Sequence, residues 1–176
     1  MTPQPDESVR IRWKDVRILV LSDTHIPDFA HAVPAALSPH LDRADLILHA
    51  GDVTSGEILD ELASFAPMHV ALGNNDRPSV AAWGALDEVH LDLEGIRLAM
   101  VHDAGPREGR DRRMRRRFPE ADLVVFGHSH IPLDTPEGAV HLLNPGSPTW
   151  KRRQPRPTFG WIEVIGGGVR TRIVEL

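Results

Sequence analysis

Five short segments of this 176-residue chain carry side chains that could do chemistry together: Asp23-Thr24-His25, Gly51-Asp52, Gly73-Asn74-Asn75-Asp76, His102-Asp103 and Gly127-His128-Ser129-His130. Asp23, His25, Asp52, Asn74, His102, His128 and His130 offer oxygen and imidazole nitrogen. Such donors suit hard or borderline divalent ions: Mn, Fe, Ni, Co or Zn. In an extended segment residues i and i+2 point the same way, so Asp23 with His25, and His128 with His130, would each present two ligands to one cleft. The glycines before Asp52, Asn74 and His128 permit close backbone approach or a positive φ. Seven ligands exceed the need of one tetrahedral ion and match two ions sharing a bridge, for which a two-oxygen carboxylate is the natural group. Two cations roughly 3.5–4 Å apart can clamp a phosphate and hold a shared hydroxide for in-line attack.

Each segment follows an apolar run that must position it. Arg17–Leu21, Leu46–His49 and His69–Leu72 read as buried strands, with helices expected over Val33–Leu41 and Gly56–Phe65, the second N-capped by Thr54 or Ser55. That rhythm indicates parallel βαβ units, whose strand ends line one binding edge. Glu88–Leu93 and Arg97–Val101 read as a hairpin across Glu94-Gly95. Arg107–Phe118 is an expected helix ended by Pro119, and Leu123–Phe126 a further buried strand. Ala139–Leu143, Gly160–Ile165 and Val169–Val174 read as strands, the last two joined by a turn at Gly166–Gly168.

Taken in order, the five segments resemble the calcineurin-like metallophosphoesterase superfamily, most of all its small prokaryotic phosphodiesterase branch. The likeness runs from about Arg17 to Ser147 and includes Leu143-Asn144-Pro145-Gly146-Ser147. It implies an α/β fold, a four-layer αββα sandwich of two mixed β-sheets flanked by helices. It also implies a metal-dependent phosphoesterase that hydrolyses a phosphodiester or phosphomonoester by attack of a hydroxide bridging two divalent metals, Mn first among them. One metal would take Asp23, His25, Asp52 and His130. The other would take Asp52, Asn74, His102 and His128, with Asp52 as the bridge and Asn74 and His102 also facing the substrate phosphate. Many members place a histidine after the metal-binding asparagine; here that position is Asn75. An amide donates a hydrogen bond but is no general acid near neutral pH. Asn75 and Asp76 are therefore the candidate catalytic side chains, and good leaving groups such as aryl phosphodiesters are expected. Asp103 departs from the branch's usual glycine and would either orient an imidazole or cap its loop. A retromer subunit has this fold and acts mainly as a scaffold. A non-catalytic protein-binding role is thus the alternative, although it would tolerate incomplete ligands and every position here is filled. A nuclease ranks lower, because the short chain leaves little room for a DNA-binding appendage.

Length favours one domain over residues 11–176, after a frayed polar tail over 1–10. Hydrophobic residues at 41% and charged residues at 26% fit a soluble globular protein. No apolar run approaches the roughly 18 residues that span a bilayer. Zero cysteine excludes disulfides and thiolate sites, and the cytoplasm is the simplest setting. Net charge is −5, yet Ala104–Gly160 holds 11 basic against 6 acidic residues. The acidic majority argues against nucleic acid as a partner, and the arginines of Arg110–Arg117 spread around a solvated helix with Met114 and Phe118 inward. Lys151–Pro157 reads as an exposed loop. If it borders the cleft, Arg152 and Arg153 would grip substrate phosphate. His49 either orients a ligand or is a core histidine, whereas His31, His40, His69, His90 and His141 lack motif context. Trp161 reads as core, and Trp83 and Trp150 as lining a substrate pocket or an oligomer contact; a homo-oligomer is compatible with both.

Overall fold

The structure, a computed structural model, describes residues 15–176. The tail over 1–10 therefore lies outside the described residues. Ten strands form two five-stranded sheets among the described residues. The first sheet runs in the order β10 (Gly168–Glu175), β9 (Thr158–Ile165), β1 (Asp15–Leu21), β2 (Leu46–His49), β3 (Met68–Val70). The second runs β4 (Val89–Leu93), β5 (Ile96–Met100), β6 (Leu123–Val125), β8 (His141–Asn144), β7 (Leu133–Thr135). β1–β2–β3 and β5–β6–β8 are parallel, and the outer pairs are antiparallel, so both sheets are mixed.

Alternation along the strands builds the layers. Ile18 and Val20 of β1 face the second sheet, where they pack with Leu98, Met100, Leu123 and Val125. Their neighbours Leu19 and Leu21 point outward, against Leu37, Leu41 and Leu62. On the far side Ala99 and Val124 meet Met114 and Phe118. Every central strand is buried on both faces, as a parallel sheet covered by helices requires. The result is the expected four-layer αββα sandwich.

Short elements depart from expectation for local reasons. The segment expected as one helix over Val33–Leu41 is a 3-10 turn, Ala35–Leu37, followed by the single turn α1 (Ser38–Leu41). Pro34 and Pro39 remove two donors from that stretch. Helix α2 (Gly56–Ala63) starts at Ser55, but neither Ser55 nor Thr54 caps it. The Gly56 amide instead donates to Ser79 Oγ of α3 (Pro78–Trp83), a helix the pattern did not announce. Helix α4 (Arg110–Arg117) begins later than expected because Gly109 adopts a left-handed φ of 65°. Strand β7, three residues between Pro132 and Pro136, is too short to show a period and forms a sheet edge. Both hairpins turn as expected. Glu94-Gly95 and Gly166-Gly167 each have two positive φ values, the geometry of a tight primed turn. No described helix is long and apolar enough to cross a membrane.

Candidate metal centre

All five motif segments lie at the carboxyl ends of β1, β2, β3, β5 and β6, where the two sheets share an edge. The loops are tied to one another by backbone. Asp23 N donates to Gly51 O at 2.9 Å and His25 N to Asp52 O at 3.0 Å, closing the β1 loop on the β2 loop. Gly127 N donates to His102 O at 2.9 Å, closing the β6 loop on the β5 loop. Further bonds join the sheets, among them His128 N, which donates to Asp23 Oδ2 at 3.0 Å.

The ligands converge, but not through extended backbone. Asp23, His25, Asp52, His128 and His130 all have positive φ, between 47° and 67°. The i, i+2 alternation of an extended segment is not what aims Asp23 with His25 or His128 with His130; each of these residues sits in a left-handed turn. Glycine acts here mainly through close approach. A Cβ on Gly73 would run into Asp52, and one on Gly127 into Ser22 Oγ and Asp23 Oδ2.

Asp23, His25 and His130 form one group of converging donor atoms, and Asp23, Asp52 and His102 another, each within 4.8 Å. Asp52 Oδ2 lies 3.5 Å from His25 Nε2 and 3.4 Å from His102 Nε2, between the two groups. Asn74 Oδ1 sits 3.0 Å from both His102 Nε2 and His128 Nδ1. Asp23, His25, Asp52, His102 and His130 are buried, whereas Asn74 and His128 are exposed. The centre thus has a closed end and an end that opens into a cleft of about 1240 Å³ lined by Asn74, Asp76, His102 and His128.

Hydrogen bonds behind the ligands set their tautomers. The carbonyl of Trp150 accepts from His130 Nδ1 at 2.7 Å, and the carbonyl of Ala50 from His102 Nδ1 at 2.7 Å. In the neutral rings both Nε2 lone pairs then face the cleft. Asp23 Oδ2 accepts from Ser22 Oγ at 2.6 Å, but Oδ1, buried 3.4 Å from His130 Nε2, has no hydrogen-bond partner among the described residues. Burial pushes the Asp23 carboxyl up to about 7. Burial likewise pushes His130 down to about 4 and lowers His25. Burial would also lower His102, but its bond to Asp52 and the charges of Asp23 and Asp52 outweigh that and raise it to about 9. Burial acts upward on Asp52 too, yet His102 and the Asn75 donors hold it below the ordinary carboxylate range. An oxygen-and-nitrogen donor set with an orphaned inner carboxylate oxygen fits divalent cations.

The remaining candidates fall into place around this centre. Asn75 donates to Asp52 from both its backbone, at 2.9 Å, and its side-chain amide, at 2.8 Å. Asp76 accepts from the amides of Asp52, Thr54 and Gly73 and so shapes both loops. Asp103 caps its loop, accepting from Gly105 N at 2.7 Å. His49 is buried and meets Thr24 Oγ1 at 3.1 Å. The guanidinium of Arg152 lies 4.8 Å over the Trp150 ring, close enough for its charge to lower His25 and His130. Arg153 is exposed, with no hydrogen bond or ion pair among the described residues. Trp83 sits in α3, bonded to Asp60, away from the ligands; Trp161 is core. Asn144 and Ser147, quoted above only as part of the family likeness, and Thr149, not singled out, bolt the loops together. Ser147 Oγ donates to Asp23 O at 2.7 Å, Thr149 Oγ1 to Thr24 O at 2.7 Å, and Asn144 Nδ2 to Gly127 O at 2.9 Å. Their polarity inside the run Leu143–Thr149 was the available signal.

Comparison with known proteins agrees with this geometry. The model of the calcineurin-like phosphoesterase superfamily domain matches residues 16–167. A probable metallophosphoesterase of Methanothermobacter thermautotrophicus is 38% identical over 137 residues, 76% of this chain and 77% of that protein. Among solved structures, vacuolar protein sorting 29 of Cryptosporidium parvum has a TM-score of 0.74 at 19% identity, covering 92% of this chain and 98% of that one. A novel archaeal phosphodiesterase has a TM-score of 0.67 at 20% identity, covering 90% and 100%. At those identities the two structures speak to fold alone. The matched domain model and the archaeal relative make this chain a member of the calcineurin-like phosphoesterase superfamily.

Proposed function

We propose that the protein is a dinuclear metal-dependent phosphodiesterase acting on small phosphate esters, with manganese the best-suited metal. One observation carries the reading: donor atoms of Asp23, His25, Asp52, His102 and His130 converge, Asn74 Oδ1 bridges His102 and His128 beside them, and Asp23 Oδ1 is buried with no hydrogen-bond partner among the described residues. Asp23, His25, Asp52 and His130 would hold one cation, and Asp52, Asn74, His102 and His128 the other. When bound, the cations neutralise charge on the phosphate oxygens and lower the pKa of an attacking water. The chain itself positions these groups. The carbonyls of Trp150 and Ala50 aim the imidazoles, and Asp76 fixes three loop amides. Asn75, exposed and bonded to Asp52, can turn its amide to a phosphate oxygen but cannot protonate a leaving group. Arg152, with Arg153 beside it in the chain, would add positive charge on the phosphate. These features favour diesters with good leaving groups. A scaffold role would not require all seven ligands.

Protein loaded with Mn²⁺ should carry two metal equivalents and cleave bis(p-nitrophenyl) phosphate. Asp52→Asn should lower that turnover at least ~100-fold, the scale of losing a shared ligand. Equal turnover by the variant would overturn the reading.

A further inference from the structure

Beside the closed end of the metal centre lies an aromatic surface that hydrolysis alone does not call for. Phe29 is 59% exposed. It stacks on Trp150 with ring centroids 3.8 Å apart and planes 13° from parallel. Both rings stand edge-on to His25, at 5.5 and 5.2 Å, and Trp150 is edge-on to His130 at 5.0 Å. Arg152 lies over the Trp150 ring.

This pair is held to the ligand loops by backbone. Phe29 N donates to His25 O at 2.8 Å. Trp150 N donates to Ser147 Oγ at 2.8 Å, and its carbonyl accepts from His130 Nδ1 at 2.7 Å. A lone exposed ring needs no explanation. Here, however, the ring is stacked, tied to two metal-ligand histidines and accompanied by a guanidinium.

We propose that Phe29 and Trp150, with Arg152, form the subsite for a planar aromatic group carried by the phosphate ester. The inference rests on the phosphoesterase reading and names its substrate class. Trp150 covers one face of Phe29, and the other is open to an offset-stacked ring. Arg152, over the Trp150 ring, supplies positive charge beside the bound ring for the phosphate attached to it. Asn75 points the same way by a separate route: an aryl oxyanion departs without needing a proton at that position.

Calorimetric titration of the Mn²⁺-loaded protein with phenylphosphonate and methylphosphonate tests the subsite, since the two probes share a headgroup and differ in the ring. The wild type should prefer the phenyl compound by about 5–10-fold, the scale of one aromatic stacking contact. Phe29→Ala should reduce that preference to about twofold or less. Phe29→Leu, which keeps apolar bulk without a plane, should restore only a minor part of it. Equal weakening of both ligands, an unchanged ratio or binding of neither would overturn the subsite. Turnover separates this inference from its parent. Hydrolysis of bis(p-nitrophenyl) phosphate without a phenyl preference sinks only the subsite, whereas a Phe29-dependent preference without hydrolysis sustains the subsite and sinks the enzyme reading.

Discussion

Left-handed backbone at Asp23, His25, Asp52, His128 and His130 places strain where the chemistry sits. Each such residue costs on the order of 1–3 kcal/mol, so the surrounding bonds must over-determine it. Asp76 provides much of that restraint with two oxygens and three amides. Asp76→Asn turns a donor toward one of those amides. The metal-free variant should lose ~2 kcal/mol in urea unfolding and bind Mn²⁺ more weakly. His49 gives a second test at this scale. Burial pushes its pKa down to about 3 from an ordinary 6.5, so the folded state refuses a proton that the unfolded state accepts. Its contribution to stability is complete above pH 6.5 and is lost as pH falls toward 3, with a slope of at most ~1.4 kcal/mol per pH unit. His49→Gln, which can still reach Thr24, should flatten that acid limb in unfolding measured from pH 6.5 downward. An unchanged slope would mean that other groups carry it.

At the level of elements, the arginines of α4 do structural work that composition alone would not assign. Arg113 donates to Ala104 O at 3.0 and 2.8 Å, in the loop that leaves His102. Arg115 donates to the carbonyls of Ala139, Pro119 and Ala121, fastening α4 to the approach to β8. Arg117 pairs with Glu88. A guanidinium has five donors in a planar fork, which lysine cannot copy. Arg115→Ala should therefore destabilise the protein by ~1–2 kcal/mol in urea titration, whereas Arg116→Ala, exposed on the same helix, should stay within ~0.5 kcal/mol. Equal effects would dismiss the carbonyl clamps. The same accounting leaves few arginines of this helix free for nucleic acid.

For the whole molecule, the decisive feature is that the ligands come from both sheets. Asp23, His25 and Asp52 follow strands of the first sheet, and His102, His128 and His130 follow strands of the second. Cation binding must then favour the closed sandwich over any state in which the sheets part. Mn²⁺ at 100 times its dissociation constant should add ~2.7 kcal/mol. For a chain of this size that raises the thermal midpoint by ~5–10 °C. Calorimetric scans with and without a chelator would show the shift, and Asp52→Asn should abolish most of it. A midpoint indifferent to Mn²⁺ would argue that the cleft does not hold the ion in the folded protein.

Residue types and order were enough to name the side chains that converge at the strand ends and the layered fold that brings them there. Buried parallel strands leave a continuous apolar signature, and ligand chemistry tolerates few substitutes, so both are legible one residue at a time. Helix ends were less so: Gly109, Pro34 and Pro39 shifted them, and Ser79 caps α2 from a helix too short to show a period. Only the tertiary structure decided how Asp23 and His25 are aimed, that Asn144, Ser147 and Thr149 bolt the loops together, and that Phe29 meets Trp150. Those facts depend on bonds between residues far apart in the chain, such as Ser147 to Asp23, 124 positions away. A linear pattern carries a residue's chemistry but not its distant neighbour, because that neighbour is chosen by how two sheets pack.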